Sequence, residues 1–248
     1  MTSAQIKKCY IAALALLALG IFLVVVWFTV RPRDPLFHEK PESEWIAHLT
    51  YRDEDQVKQW REFGPNGVIV LVRALEGANR PKDRFYRNFY RGALRILPGR
   101  VVSHLPAPRM DLTRGTRMTV VDILSRLSPD AKPAIPAMTR ALKDESDSVR
   151  QIAINFFTSG EDEHALLNQM EPAAKRDLLP LFIAAMQEDN WGVRNNALVA
   201  LRYYPEQASV VVPVLLKALN DPVPQVRKLA TNTFKRIDPT AAAKADLK

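Results

Sequence analysis

The amino-acid sequence predicts an all-α fold, an α–α superhelix of stacked helical hairpins, preceded by one N-terminal transmembrane helix. Three observations predict it: a phrase that recurs at fixed spacing, helical periodicity of the apolar residues within each recurrence, and a long uncharged run near the N-terminus. Self-similarity with a period of roughly 20–50 residues is typical of solenoids, whose units stack because none can bury its apolar face alone.

The recurring phrase begins with a proline and carries an arginine fourteen residues later, and the pairs are Pro136/Arg150, Pro180/Arg194 and Pro213/Arg227. In every copy a valine directly precedes the arginine, and an alanine lies three residues after the arginine. Polar turn residues separate two segments of helical periodicity, so each copy is predicted to be a hairpin of two helices. Ser128 precedes a proline and is expected to cap the first helix of the first copy.

The spacing of the arginines predicts an insertion. Arg117 lies 33 residues before Arg150 and Arg194 lies 33 before Arg227, whereas Arg150 and Arg194 are 44 apart. The excess of 11 residues maps onto the polar stretch 160–171, which is interpreted as a loop with a short extra helix. Weaker copies extend toward the N-terminus, so residues 43–237 are predicted to form five to six hairpins, followed by a flexible tail at 238–248.

The phrase carries a family resemblance. Proline, aspartate eight residues later (Asp144, Asp221), valine and then arginine resembles the HEAT repeat, from residue 43 to 237 and most strongly after residue 128. The resemblance implies aspartates and arginines that hydrogen-bond along the turns between helices, and therefore structural roles for the prolines, aspartates and arginines of the phrase. The whole plan also resembles membrane-anchored HEAT-repeat proteins of bacteria, with Ser43-Glu44-Trp45 following the anchor. Such arrays serve mostly as protein-binding scaffolds.

The N-terminal region predicts a single-pass membrane anchor. After a short tail of residues 1–9, residues 10–30 contain no charge, and a helix of that length matches the roughly 30 Å apolar core of a bilayer. The bulky apolar residues continue past the length of a cleavable signal, so an uncleaved anchor is favoured over cleavage. Residues 31–42, rich in proline and mixed charges, are interpreted as a linker.

The orientation of the anchor stays open on sequence alone. Lys7 and Lys8 favour a cytoplasmic N-terminus, whereas Arg31 and Arg33 favour the reverse. We favour an extracytoplasmic (periplasmic) solenoid. The only cysteine, Cys9, lies before the anchor, which suits an oxidising compartment.

No pattern in the chain indicates chemistry. None of the four histidines pairs with another at ligand spacing, one cysteine cannot build a zinc site, and no phosphate-binding glycine loop or nucleophile elbow is present. The sequence therefore predicts no catalytic residue, no metal site and no cofactor.

Charge supplies the best clue to function. The chain carries a formal net charge of +8, and residues 80–117 alone hold ten Lys/Arg against two acids, with phenylalanines and tyrosines between the arginines. The aromatic residues recur at helical spacing and are interpreted as core, which leaves Arg84, Arg87, Arg91 and Arg95 on a solvated basic face. Arg87 also aligns with the structural arginine of the repeats.

These observations predict a membrane-tethered scaffold for protein interaction or assembly at the cell envelope. Its basic surface at 80–117 would bind an acidic protein or anionic lipid headgroups. The alternative is a nucleic-acid-binding array, which requires a cytoplasmic domain. An enzyme is the least favoured class.

Overall fold

The computed structural model of the chain describes residues 34–77, 114–128, 130–160 and 164–244, together with the isolated Gly20 and Gly92. The predicted anchor at 10–30 and most of the basic segment 80–117 lie outside these ranges. Within them, no helix has the length and apolarity needed to cross a bilayer. Contacts between Cα atoms divide the chain into two compact units, residues 1–42 and residues 43–248.

The described part of the first unit holds a small β-hairpin in the predicted linker. Strands β1 (Leu36–Phe37) and β2 (Lys40–Pro41) pair antiparallel, with Leu36 opposite Pro41. The two turn residues, His38 and Glu39, have φ angles of 45° and 64°, the left-handed geometry that a two-residue hairpin turn requires. Neither is the glycine or asparagine usual at such positions, so the sequence offers no signal for this hairpin.

The described part of the chain from residue 42 onward is helical. Its helices are α1 (Glu42–Ala47), α2 (Glu54–Glu62), α3 (Gly64–Gly77), α4 (Arg114–Leu127), α5 (Ile135–Ala141), α6 (Asp147–Thr158), α7 (Leu166–Gln169), α8 (Pro172–Ala185), α9 (Trp191–Leu201), α10 (Ala208–Ala218), α11 (Pro224–Ile237) and α12 (Pro239–Lys244). Short 3-10 turns at Lys132–Ala134 and Pro205–Gln207 lead into α5 and α10.

The three recurring phrases form the hairpins α5/α6, α8/α9 and α10/α11, and in each the first helix packs on the second. The second helices also pack on one another in the order α4, α6, α9, α11; we call these four helices the second-helix row. The alanines of the phrase, Ala153, Ala197 and Ala230, are fully buried in this row. A small side chain at these positions lets neighbouring helices approach closely.

The insertion between the first and second phrases contains a short helix, as its sequence predicts. Helix α7 buries Leu166 and Leu167 and packs on α6. Gly160, which precedes it, has a φ of 104°, and a Cβ there would come within 3.0 Å of the His164 backbone. The extra helix therefore accounts for the longer spacing between Arg150 and Arg194.

One local prediction differs from the structure. Ser128 does not cap the helix after it, because its hydroxyl donates to the Phe156 carbonyl at 2.8 Å, an acceptor in the last turn of α6 that has no partner within its own helix. The helical turn begins only at Lys132. In the predicted tail, Asp238 accepts a hydrogen bond from the Ala241 amide at 2.8 Å and opens α12, which packs on α11.

Candidate functional site: the arginine ladder and the adjacent groove

Arginines near the start of the second helices bind the turns that precede those helices. Arg150 Nη1 donates to the Asp144 carbonyl at 2.5 Å. Arg194 Nη1 donates to the carbonyls of Glu188 and Asp189, both at 2.8 Å. Arg227 Nη1 repeats the arrangement one hairpin later. Each arginine thus satisfies backbone carbonyls of the turn between the two helices of its hairpin.

Arg150 and Arg194, and likewise Arg117 on α4, bind a carboxylate from the next hairpin. Arg117 pairs with Asp144 at 3.2 Å and with Glu145 at 2.8 Å. Arg150 Nη2 donates to Glu188 Oε2 at 2.7 Å. We call Arg117, Arg150, Arg194 and Arg227 the arginine ladder; the first three of these arginines join consecutive hairpins.

Arg194 and Asp221 form the most buried pair of the ladder. Arg194 donates through Nε at 2.7 Å and Nη2 at 2.9 Å to the two carboxylate oxygens of Asp221, and their side chains are only 10% and 7% exposed. These hydrogen bonds lower the pKa of Asp221, although burial opposes them, and the Val223 amide adds to the effect. The bidentate geometry suits guanidinium and carboxylate groups.

A second polar network runs beside the ladder. The Asn190 side chain accepts from the Gly192 and Val193 amides and so caps α9. It also accepts from Gln151 Nε2 at 3.1 Å and donates to Asp147 Oδ2 at 3.0 Å. The cap could have been read from an asparagine before a helical segment. Its bonds to α6 depend on the packing of two hairpins, which no local pattern reveals.

The structure places the residues predicted from the phrase as follows. Pro136 lies in the first turn of α5, where its missing N–H costs nothing. Pro180 and Pro213 lie inside α8 and α10 with exposed side chains. Asp144, Asp221 and the three arginines of the phrase lie in the turns and ladder described above.

The predicted basic contacts Arg84, Arg87, Arg91 and Arg95 lie outside the described residues. Of the segment 80–117, Arg117 is described with its side chain, and it belongs to the ladder. Its ladder role is also what its spacing of 33 residues from Arg150 indicates.

A groove of about 780 Å³ opens beside the N-terminal end of the second-helix row. Its walls come from α4, α6 and the turn at Tyr51-Arg52, and its lining is mostly hydroxyl, amide and charged groups: Asp122, Ser125, Arg126, Ser128, Asn155, Thr158 and Ser159. Arg126 in its wall already pairs with Asp122 at 3.0 Å and with Glu54. The charge of Arg126 is therefore already compensated within the wall of the groove.

Arg52 lies at the edge of this groove in a strained conformation. Its φ is 62°, which costs a side-chain-bearing residue of order 1 kcal/mol. Its guanidinium lies 5.2 Å from the centroid of the Tyr51 ring, at cation–π distance. In the ranges that the structure describes, no three His, Cys, Asp or Glu side chains are grouped as metal ligands would be.

Comparison with known families identifies the last hairpin. Residues 211–240 match the family model described as HEAT repeat, which spans most of α10 and all of α11. No curated protein matches the chain.

Proposed function

Because the chain is a HEAT-repeat protein, we propose that it is a membrane-tethered scaffold that mediates protein interaction or assembly at the cell envelope. HEAT repeats generally serve as protein-interaction scaffolds, and the family is typically non-catalytic. The observation that carries the proposal is this repeat architecture, in which a ladder of ion pairs joins the hairpins and leaves their outer surfaces available for recognition.

The basic segment 80–117 is the proposed contact surface. Arg117 belongs to the arginine ladder and is therefore not available as a contact. The same segment also contains Arg84, Arg87, Arg91 and Arg95, which lie within one run of helical periodicity. A dense positive surface attracts acidic partners and speeds their association. We assign it to an acidic protein, with anionic lipid headgroups as the other ligand of the same charge. Arg87 is the weakest of the four because it aligns with the ladder arginines.

The proposed anchor is the uncharged run at 10–30. A hydrophobic segment of this length supports a spanning helix, and the short linker would keep the repeats near the bilayer surface. Two reporter enzymes fused after Lys248 test the orientation, one active only outside the cytoplasm and one active only inside it. The expected result is that the reporter active outside the cytoplasm works and the other does not. Activity only in the cytoplasm would contradict the proposed location and would favour the nucleic-acid-binding alternative.

In-cell crosslinking of the full tagged chain tests the contact surface. The expected result is a reproducible set of crosslinked proteins that is lost when Arg84, Arg91 and Arg95 are changed to glutamate. The control changes three exposed basic residues elsewhere, Lys58, Lys143 and Arg176, to glutamate, which alters the net charge equally. Equal loss in both triple variants, or loss in neither, would contradict the assignment.

A further inference from the structure

Arg227 is the last member of the arginine ladder along the sequence, and it binds the turn before its own helix. Arg227 Nη1 donates to the Asp221 and Pro222 carbonyls at 2.7 and 3.0 Å, just as Arg194 binds its own turn. In Arg194 the Nε and Nη2 edge then holds Asp221 of the next hairpin. Among the described residues, no carboxylate occupies the corresponding edge of Arg227.

The helix that follows does not cover this position. Helix α12 begins twelve residues after Arg227, which is about 18 Å along a helix axis. It contains six residues and is therefore only about 9 Å long. Although α12 packs on α11, it is too short to reach back to the first turn, and the Arg227 side chain is half-exposed.

The surroundings of Arg227 favour an acidic ligand. Helix α11 carries four basic residues, Arg227, Lys228, Lys235 and Arg236, and no aspartate or glutamate. Lys228 and Lys235 are exposed. The nearest carboxylate in sequence, Asp221, forms its ion pair with Arg194, and its charge also interacts with that of Arg227 at longer range. A guanidinium edge flanked by further positive charge is suited to bidentate binding of a carboxylate.

We propose that the Nε and Nη2 edge of Arg227 binds an aspartate or glutamate carboxylate of an acidic partner protein. The partner's carboxylate takes the place that Asp221 takes on Arg194, and Lys228 and Lys235 attract the acidic residues around it. The residues of this surface are different from those of the segment 80–117. The proposal therefore stands or falls independently of the contacts assigned to Arg84, Arg91 and Arg95.

The direct test observes the two arginines in one sample. The full chain, labelled with ¹⁵N-arginine and held in detergent micelles, is titrated with a peptide of alternating aspartate and serine. The Nε–H resonance of Arg227 is expected to move saturably, whereas that of Arg194 stays in place because Asp221 already fills its edge. Arg227→Lys assigns the signal. If the Arg227 resonance stays fixed, or both resonances move alike, the proposal is wrong.

A crosslinking experiment places the peptide on the surface. The photoreactive residue p-benzoylphenylalanine replaces Gln225, which is exposed on the first turn of α11, or Gln59, which is exposed on α2 and serves as the control position. The aspartate peptide is expected to crosslink at position 225 and not at 59, and Arg227→Lys is expected to reduce the yield at least fivefold. An asparagine-serine peptide is the neutral control.

Several outcomes would overturn the proposal. Equal yields with the aspartate and asparagine peptides would exclude recognition of a carboxylate. Full yield in Arg227→Lys, which keeps the charge but loses the forked donor edge, would exclude bidentate binding. Self-association that Arg227→Lys abolishes would identify a second copy of this chain as the occupant instead of a separate acidic protein.

Discussion

Arg150 and Arg194 each bind both the turn before their own helix and a carboxylate of the next hairpin. The four hydrogen bonds of Arg194 join the Glu188 and Asp189 carbonyls of its own turn to the carboxylate of Asp221 in the next hairpin. A buried ion pair is costly to break because the remaining charge stays desolvated and unpaired. We therefore expect substitutions that change only a few atoms of the ladder to lower the free energy of unfolding strongly.

Asp221→Asn tests the strength of the pair. The amide cannot compensate the Arg194 charge, so the free energy of unfolding is expected to fall by about 3 kcal/mol, the cost typical of a broken buried pair. Denaturant unfolding of the full chain, followed by its helical circular dichroism, measures the change. Asp177→Asn is the matched control, because Asp177 is exposed on α8, and it is expected to cost less than about 0.5 kcal/mol. Equal stability of the two variants would contradict the account.

The pH dependence of the unfolding free energy is a second test of the Arg194–Asp221 pair. Hydrogen bonds from Arg194 lower the pKa of Asp221 below its ordinary value. A carboxyl group with a lowered pKa in the folded state stabilises the fold above its unfolded pKa of about 3.9, and this contribution is lost as the pH falls through the folded pKa. The stability difference between the wild-type chain and Asp221→Asn should therefore be largest above about pH 4 and shrink in more acidic solution. A difference that is constant across this window would rule out the pair as its source.

At the scale of the helix, the small buried residues of the phrase set how closely the second helices pack. Ala197 lies on α9, which packs on both α6 and α11, and it is fully buried. A larger side chain there has no space, and overpacking a close-packed interior typically costs 1–3 kcal/mol.

Ala197→Leu is accordingly expected to lower the unfolding free energy by about 2 kcal/mol. Ala184→Leu on α8 is the matched control, because Ala184 is exposed and leucine is as good a helix former as most residues. Denaturant unfolding of both variants compares them. A neutral Ala197→Leu would show that the row is looser than the buried alanines indicate.

The elements also show where sequence reasoning succeeds and where it fails. Helical periodicity and turn residues are local, so the hairpins and the extra helix at Leu166–Gln169 are readable from the chain alone. The β-hairpin at Leu36–Pro41 is too short for a periodic signal and turns on His38 and Glu39, which are not typical turn residues. The cap of α12 by Asp238 is hidden in an alanine-rich tail with little apolar patterning.

In the arginine ladder, the sequence predicts only those contacts that recur in every copy of the phrase. Equal spacing identifies the ladder arginines, because each copy puts the same residue at the same place in its hairpin. It cannot identify Glu145 as a partner of Arg117 or Asn190 as a bridge to Gln151, since these contacts depend on how two hairpins pack. The partner of Arg150 is Glu188, which lies eight residues after Pro180, where the other two copies of the phrase have an aspartate.

At the scale of the whole unit, the described hairpins of residues 43–248 form a linear stack. Each hairpin is stabilised by its neighbours through the second-helix row and the arginine ladder. Stability in such arrays is approximately a sum of terms within each repeat and between adjacent repeats. A defect at one junction should therefore loosen the hairpins on either side of it more than those farther along.

Hydrogen exchange of the full chain, compared between wild type and Asp221→Asn, tests this claim most directly. The account predicts that backbone amides of α9, α10 and α11 exchange faster in the variant, while those of α4 and α6 keep their protection. A uniform rise in exchange from α4 to α11, as expected of one cooperative globule, or unchanged exchange in α10 and α11, would contradict it.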